Sequence, residues 1–352
     1  MNRIRFSAVA IVLILAGTSS SFAIGLGGRD SAMAGAYTAL TNDSTAAFYN
    51  PAGIVNSGLG KVNFALGTSN LGQFTDIYNA VSQGTTFIQN NFNKSIAFNG
   101  DFNGIVGFNV AKFGFSLIPQ GSATGSKAAG ASSFSYSGTV TEDLGVTFGS
   151  EVKTPFLPLG NLAAGATVKY ILGQRYQATY ASSAGNEDTL SANGFGLDLG
   201  AQARLSNIVS AGVAVRNLFA SQNWSGTRQP KTIDGTGKSS NAGAATPLSF
   251  SEPRSVTIAT GIAATIPGVG ATAAAEIASS DGGGTVSLGF EYPILPMGLL
   301  VARAGYGSSN TSSLATFGAG FNAGPAHVDA TYGFDSKKNN ASSVVVEASF
   351  GL

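Results

Sequence analysis

The sequence predicts an all-β fold: a transmembrane antiparallel β-barrel of about 14 strands, with a short N-terminal helical segment held in its lumen. Three observations carry that expectation. Charged residues make up 11% of the chain, against roughly 25% in an ordinary soluble domain. Glycine supplies 48 of the 352 residues, about twice the usual share. The chain is apolar on average, yet beyond its start it has no continuous apolar run long enough for a membrane helix. A closed barrel crosses lipid with alternating rather than continuous apolar residues.

Residues 1–23 read as a signal peptide. Arg3 and Arg5 are positive, Phe6–Gly17 is an apolar core, and Ser21–Ala23 resembles a small-residue cleavage site. Without Arg3 and Arg5 the basic count falls from 19 to 17, against 18 acidic residues. That balance leaves no basic footprint for nucleic acid. The chain has no cysteine, so an exported form must draw its stability from a large core or from the membrane.

Residues 24–60 differ from everything after them. The stretch "GGRDSAMAGAYTALTNDSTAAFYNPAGI", Gly27 to Ile54, is rich in small residues and reads as helix over 30–40, capped by Asp30 or Ser31. "TNDST" supplies a second cap, and Asn50-Pro51 stops the helical run. Such a segment is too irregular for a strand and too apolar to hang in water. It fits as a plug, with small residues allowing close approach to a barrel wall.

Residues 61–352 follow period two, the strand signal. In Gly194–Leu205, Phe195, Leu197, Leu199, Ala201, Ala203 and Leu205 share one face, and Asp198, Gly200, Gln202 and Arg204 the other. The segments around 288–292, 301–306, 328–334 and 344–352 alternate in the same way. The polar face holds Gly, Ser, Thr and Gln with scattered single charges, unlike the Lys/Glu-rich outer face of a soluble sandwich. Strands are expected near 61–69, 102–111, 112–121, 134–149, 162–177, 189–205, 208–220, 252–266, 269–280, 284–293, 298–308, 312–323, 325–335 and 341–352. Tight turns alternate with longer polar loops at 122–133, 178–188 and 221–251, and residues 70–101 form a long first external loop. "SIAFNGDF" within it is an alternative strand pair that would raise the count to 16.

The face opposite the lipid carries Asp143, Lys169, Asp198, Arg204, Arg216, Glu276, Glu291, Arg303, Asp329 and Glu347. Their mixed signs suit pairing with one another, with the plug or with water. His327, the one histidine, faces the same way as Asp329, with no serine motif beside it to build a hydrolase and no carboxylate cluster to hold a metal. No enzyme activity and no cofactor are expected. Phe74, Ile77, Tyr78, Trp224 and Phe250 fall in the expected external loops and are candidate ligand-admission residues.

The opening stretch resembles the N-terminal signature of the PorV/PorQ-type outer-membrane proteins, relatives of the FadL long-chain fatty-acid transporters. The match rests on Gly27, Gly28 and Arg29, on Met33 and Gly35, and on the turn of Asn50, Pro51, Ala52 and Gly53; Ala34 stands where the family shows glycine. "ATVKY", "LDLGA", "VAVRNL" and "VARAGY" resemble the family's strand phrases, so the likeness spans nearly the whole mature chain. The resemblance implies a 14-stranded barrel in the outer membrane of a Gram-negative-type cell, plugged by the opening stretch as a hatch. In FadL-like transporters a hatch rearrangement links an external hydrophobic pocket to an opening in the barrel wall. The expected partners are outer-membrane lipid and a hydrophobic small molecule such as a fatty acid or hydrocarbon. PorV-like members instead serve a protein secretion system, which would make other envelope proteins the partners. A purely structural barrel is the third reading.

Overall fold

The computed structural model describes residues 25–70, 73, 90, 93–153, 161–337 and 341–351. The expected signal peptide and Phe74, Ile77 and Tyr78 lie outside them.

Alternating strands close into one antiparallel barrel. In chain order they are β1 Gly60–Ser69, β2 Ile96–Val110, β3 Phe113–Lys127, β4 Phe134–Val152, β5 Leu162–Ala181 and β6 Ala184–Arg204. β7 comes in two pieces, Val209–Arg216 and Ser221–Ile233, and β8 in three, Ser239–Asn241, Thr246–Pro253 and Thr257–Thr265. Then follow β9 Thr272–Ser280, β10 Gly283–Pro293, β11 Leu300–Ser309, β12 Ser313–Ala323, β13 Ala326–Asp335 and β14 Ala341–Gly351. The pieces of β7 and β8 share neighbours, so the wall has 14 strands. β1 pairs with both β2 and β14, which closes the ring without a free edge.

Each strand shows its apolar face outward. Phe64, Phe115, Val146, Val168, Phe195, Leu199, Ile262, Leu288, Phe317 and Tyr332 are all exposed on the lipid side, while their neighbours along the strand are buried or, at Gly200 and Gly318, half-buried. At one end the strands join through short turns at 111–112, 205–208, 266–271, 294–299 and 324–325. Bacterial transmembrane barrels keep short turns on the periplasmic side, and by that rule the other end counts as the outer one.

The expected loops at that outer end shrink or vanish: of 122–133 and 178–188 only 128–133 and 182–183 join strands, and 96–101 of the expected 70–101 loop belong to β2. Residues 221–251 are not a loop: β7 and β8 run on past the membrane and pair with each other and with β6. "SIAFNGDF" is not an extra strand pair either, because it belongs to the single strand β2. These departures have one cause. Above the lipid neither face of these strands needs to be apolar, so hydrophobic alternation fades while the ladder continues. Between the two levels, β7 bulges at 217–220, where Asn217 has φ +59 and the register with β6 slips.

Residues 25–57 fill the lumen, and most are buried. The expected helix is shorter than its pattern. α1 covers only Gly28–Ala32, because Ala34 (φ +52) and Gly35 (φ +82) turn the chain left-handed just after it. A 3₁₀ turn over Ser44–Ala47 is capped by Asp43, whose side chain accepts from Thr45 N. A second 3₁₀ turn, Pro51–Asn56, is capped by Asn50. Asn-Pro therefore starts a helical turn rather than merely stopping one: Asn50 is extended, as a residue before proline prefers, and Pro51 takes the first helical position. α1 packs on β11–β14, the first 3₁₀ turn on β1–β4 and the second on β4–β6.

Candidate functional site

The plug is tied to the wall differently on its two sides. Toward β9–β14 the ties are ionic and polar. Gly28 N donates to Glu347 Oε2 at 2.8 Å, and Asn63 Nδ2 donates to Glu347 Oε1 at 2.8 Å. Arg29 grips Glu291 with Nε at 2.8 Å and Nη2 at 3.0 Å, a bidentate pair. Arg303 Nε donates to the same carboxylate at 2.6 Å, and its Nη1 reaches Asp329. Glu276 Oε2 accepts from Tyr37 N at 3.0 Å and Thr38 N at 2.8 Å. Without these carboxylates the plug's backbone N–H groups would be buried and unpaired.

Toward β1–β3 an apolar strip dominates the middle of the contact: Leu26, Ala47 and Phe48 of the plug pack on Ala65, Ile105 and Ile118 of the wall, while nearer the turn end Lys61 pairs with Asp43 at 3.7 Å and Asn109 Nδ2 donates to Ser57 Oγ at 2.9 Å. Beside this strip the β2–β3 ladder breaks. Gly104 and Ile105 are unpaired opposite Ile118 and Pro119, and proline has no N–H to give.

The conspicuous Asn-Pro turn sits in a glycine cradle. Asn50 Nδ2 donates to Thr38 O at 2.8 Å and Ala201 O at 3.0 Å, while its Oδ1 accepts from Ala52 N at 3.1 Å. A Cβ at Gly165 would lie 2.4 Å from the Pro51 carbonyl, and one at Gly200 would lie 2.0 Å from Asn50 Oδ1. Ala52 is fully buried, Gly53 packs on Thr41, and Met33 is fully buried beside Gly289.

The other wall charges gather above the plug. Lys169 Nζ lies 2.9 Å from Asp198 and 3.8 Å from Asp143, and it donates to Asn217 Oδ1 at 2.6 Å. Arg254 Nη1 donates to Asp143 at 2.7 Å. Arg216 lies over the Phe48 ring at 4.9 Å. Arg204 is exposed at the turn end, and neither it nor Arg216 has an ion pair among the described residues. A cavity of about 320 Å³ opens here, lined by Phe48, Tyr49, Lys169, Arg216, Arg254 and Glu276 among others. Two donors in this region, Arg216 Nε and Arg254 Nη2, are buried without a partner among the described residues.

Trp224 and Phe250 are on strands, on the inner face of the extended wall, and not in a loop. Trp224 is 1% exposed; Phe250 remains 37% exposed. Arg175 covers the Trp224 ring at 4.2 Å and pairs with Glu252 at 2.7 Å. Phe250 stacks on Trp224 with centroids 6.5 Å apart, and Leu190, Ala192 and Leu248 complete the patch. Arg175, Glu252 and Arg254 escaped the sequence reading. The cue was the phase shift at 254–256: before it the even-numbered Phe250 and Glu252 face inward, and after it the odd-numbered Ala259, Gly261 and Ala263 do.

In fold the chain is a plugged transmembrane barrel of the kind found among hydrocarbon transporters. It is similar to the Pseudomonas putida toluene transporter TodX, with TM-score 0.64 and 13% identity over 94% of this chain and 99% of that one. The Ralstonia pickettii toluene transporter TbuX gives TM-score 0.63 at 12% identity over 94% and 99%. A Pseudomonas aeruginosa FadL homologue gives 0.57 at 12% over 96% and 99%. A family model described as "F plasmid transfer operon, TraF, protein" matches residues 69–225; it is not of the PorV/PorQ type that the opening stretch resembles. No curated protein matches the sequence.

Proposed function

We propose that this chain is an outer-membrane transporter of hydrophobic small molecules whose plug gates passage. The observation that carries this reading is the filled lumen with an apolar strip at one side. A cargo crossing the barrel must displace residues 25–57, and the strip from Leu26 and Phe48 to Ile105 and Ile118 is where apolar material meets least polar resistance. It ends where Gly104–Ile105 and Ile118–Pro119 do not pair with each other and each is held by its other neighbouring strand, a seam toward lipid. The Trp224–Phe250 patch is the outer landing site. The unpartnered N–H groups of Arg216 and Arg254 above the plug suit a cargo with an acceptor end, a carboxylate or carbonyl, over a bare hydrocarbon. The likeness to toluene transporters supports the fold on which this reading rests.

Quenching of Trp224, the chain's one tryptophan, by fatty acids and by aromatic hydrocarbons tests binding. Uptake of the same compounds into vesicles bearing the protein tests passage. Vesicles with and without the protein loading at the same rate, with no quenching, would remove the transporter reading.

A further inference from the structure

His327 takes no part in the function proposed above, yet it sits at the end of an unbroken chain of charges that reaches the plug. Its ring nitrogens face two oxygens. Nδ1 meets Asn322 Oδ1 and Nε2 meets Asp329 Oδ2. The Asn322 amide is oriented by its own Nδ2, which donates to the Gly298 carbonyl, so its oxygen is the atom turned to the ring. An imidazole with an acceptor at each nitrogen is satisfied only as imidazolium, since the neutral ring has one N–H. From Asp329 the chain continues through Arg303 to Glu291 and from Glu291 to Arg29 of the plug.

The cluster borders a cavity of about 380 Å³ at the turn end, and the His327 side chain is 19% exposed, within reach of solvent protons. The groups facing it are Asn322 from β12, Asp329 from its own β13, Glu347 and Ser349 from β14, Lys61 from β1, Arg303 from β11, Glu291 from β10, and Arg29 and Asp43 from the plug. Lys61 and Asp43 form their own pair at 3.7 Å. With His327 charged, three cations (His327, Arg303, Arg29) face three carboxylates (Asp329, Glu291, Glu347). Without that proton the carboxylates are in excess.

We propose that His327 is a proton-operated latch on the plug: its charged ring holds Asp329 in place, Asp329 and Glu291 hold Arg303, and Glu291 holds Arg29. Loss of the proton turns a ring lone pair toward an oxygen and unties the chain at its last link, at the turn end. The latch is tight while the ring is charged and loose once it is neutral.

The absence of cysteine makes the test direct. Ser31, 2% exposed on α1, becomes Ser31→Cys, a near-isosteric reporter that a maleimide reaches only when the plug leaves the wall. Labelling in vesicles is compared between this protein and its His327→Asn derivative at each pH, so that thiol ionisation cancels. At pH 5.5 the His327 protein should label roughly tenfold more slowly, the size of one charge-assisted hydrogen bond; at pH 8 the two should match. His327→Arg, with a fixed charge, should stay slow at both, and His327→Gln replaces the asparagine derivative if that one does not assemble. Equal labelling of the His327 protein and its neutral derivative at pH 5.5 overturns the latch. The proposal rests on the plug reading, but its readout is separate. Labelling that switches with pH in a protein whose plug deletion leaves conductance unchanged keeps the latch and discards the gate.

Discussion

The two halves of this barrel are built to different heights and do different work. β9–β14 have 9 to 11 residues each. At about 3.3 Å per residue and the usual tilt of roughly 40°, ten residues rise about 25 Å, the height of the apolar band. These strands cross the membrane and stop. β4, β5 and β6 have 19, 20 and 21 residues, about twice what the crossing needs. The short half carries Glu276, Glu291, Arg303, Asp329 and Glu347, which hold the plug. The tall half adds the Trp224–Phe250 patch above it. The plug is thus held mostly by charges on the side where the wall is minimal and, apart from the Lys61–Asp43 pair, by apolar contact toward β1–β3, which predicts the direction in which it yields.

The largest effect should come from removing the plug. Deleting 24–54 should leave a heat-resistant barrel, because the β1–β14 ladder closes without it. Conductance in planar bilayers should rise clearly over the intact protein. No rise from a correctly folded deletion would mean that both halves, and not the plug, seal the lumen.

The part of this architecture inside the lipid was legible from residues alone. Leu197, Leu199 and Ala201 alternate with Asp198 and Gly200 because one face must be apolar, and that constraint writes itself into sequence. Above the lipid it vanishes: "SQNWSGTRQPKTI" has no apolar face, so β7's outer piece looked like loop. The inner charges were readable as a face but not as partners. Arg254 and Asp143 stand 111 residues apart and meet only through the curvature of the closed barrel. The shortness of α1 was hidden too, because nothing local marks Ala34 as left-handed.

A second prediction separates wall from plug within one strand. Leu199 faces lipid near the middle of the roughly ten residues of β6 next to the turn end that cross the bilayer, so Leu199→Arg should destabilise the barrel by roughly 2–4 kcal/mol in lipid. Gln202 faces inward, where its Oε1 accepts from Asn56 Nδ2 at 2.6 Å and its Nε2 donates to Thr41 O at 3.2 Å. Gln202→Arg should spare the wall and disturb the plug, raising conductance more than it lowers unfolding stability. Equal unfolding costs would put the inside and outside faces in the wrong phase.

The glycine cradle gives a third, smaller effect. Gly200→Ala places a methyl on the Asn50 carboxamide, and overpacking of this kind costs about 1–3 kcal/mol. The cost should appear as looser plug seating. An alanine at Gly268, in a turn with nothing within 4 Å and φ +81, should instead show only the mild strain of its backbone, with conductance unchanged. Matching conductance for the two would deny the Asn-Pro turn any part in seating the plug.

The smallest effect belongs to the tall half alone. Phe250 is the exposed member of the aromatic patch, with one face on Trp224 and the other open. Trp224 cannot receive a ligand on its own, since Arg175 covers it at 4.2 Å and Glu252 fixes Arg175 in place. Phe250→Ala removes the accessible ring without touching the arginine pair or the plug. An aromatic contact is worth about 0.5–1.5 kcal/mol beyond its area, so hydrophobic ligand affinity should fall several-fold, read as weaker quenching of Trp224. Conductance of the unliganded protein should stay as it was, because the short half still holds the plug. A conductance change from Phe250→Ala would show that the vestibule and the plug are one coupled unit, and the division between tall and short halves would fail at the level of function.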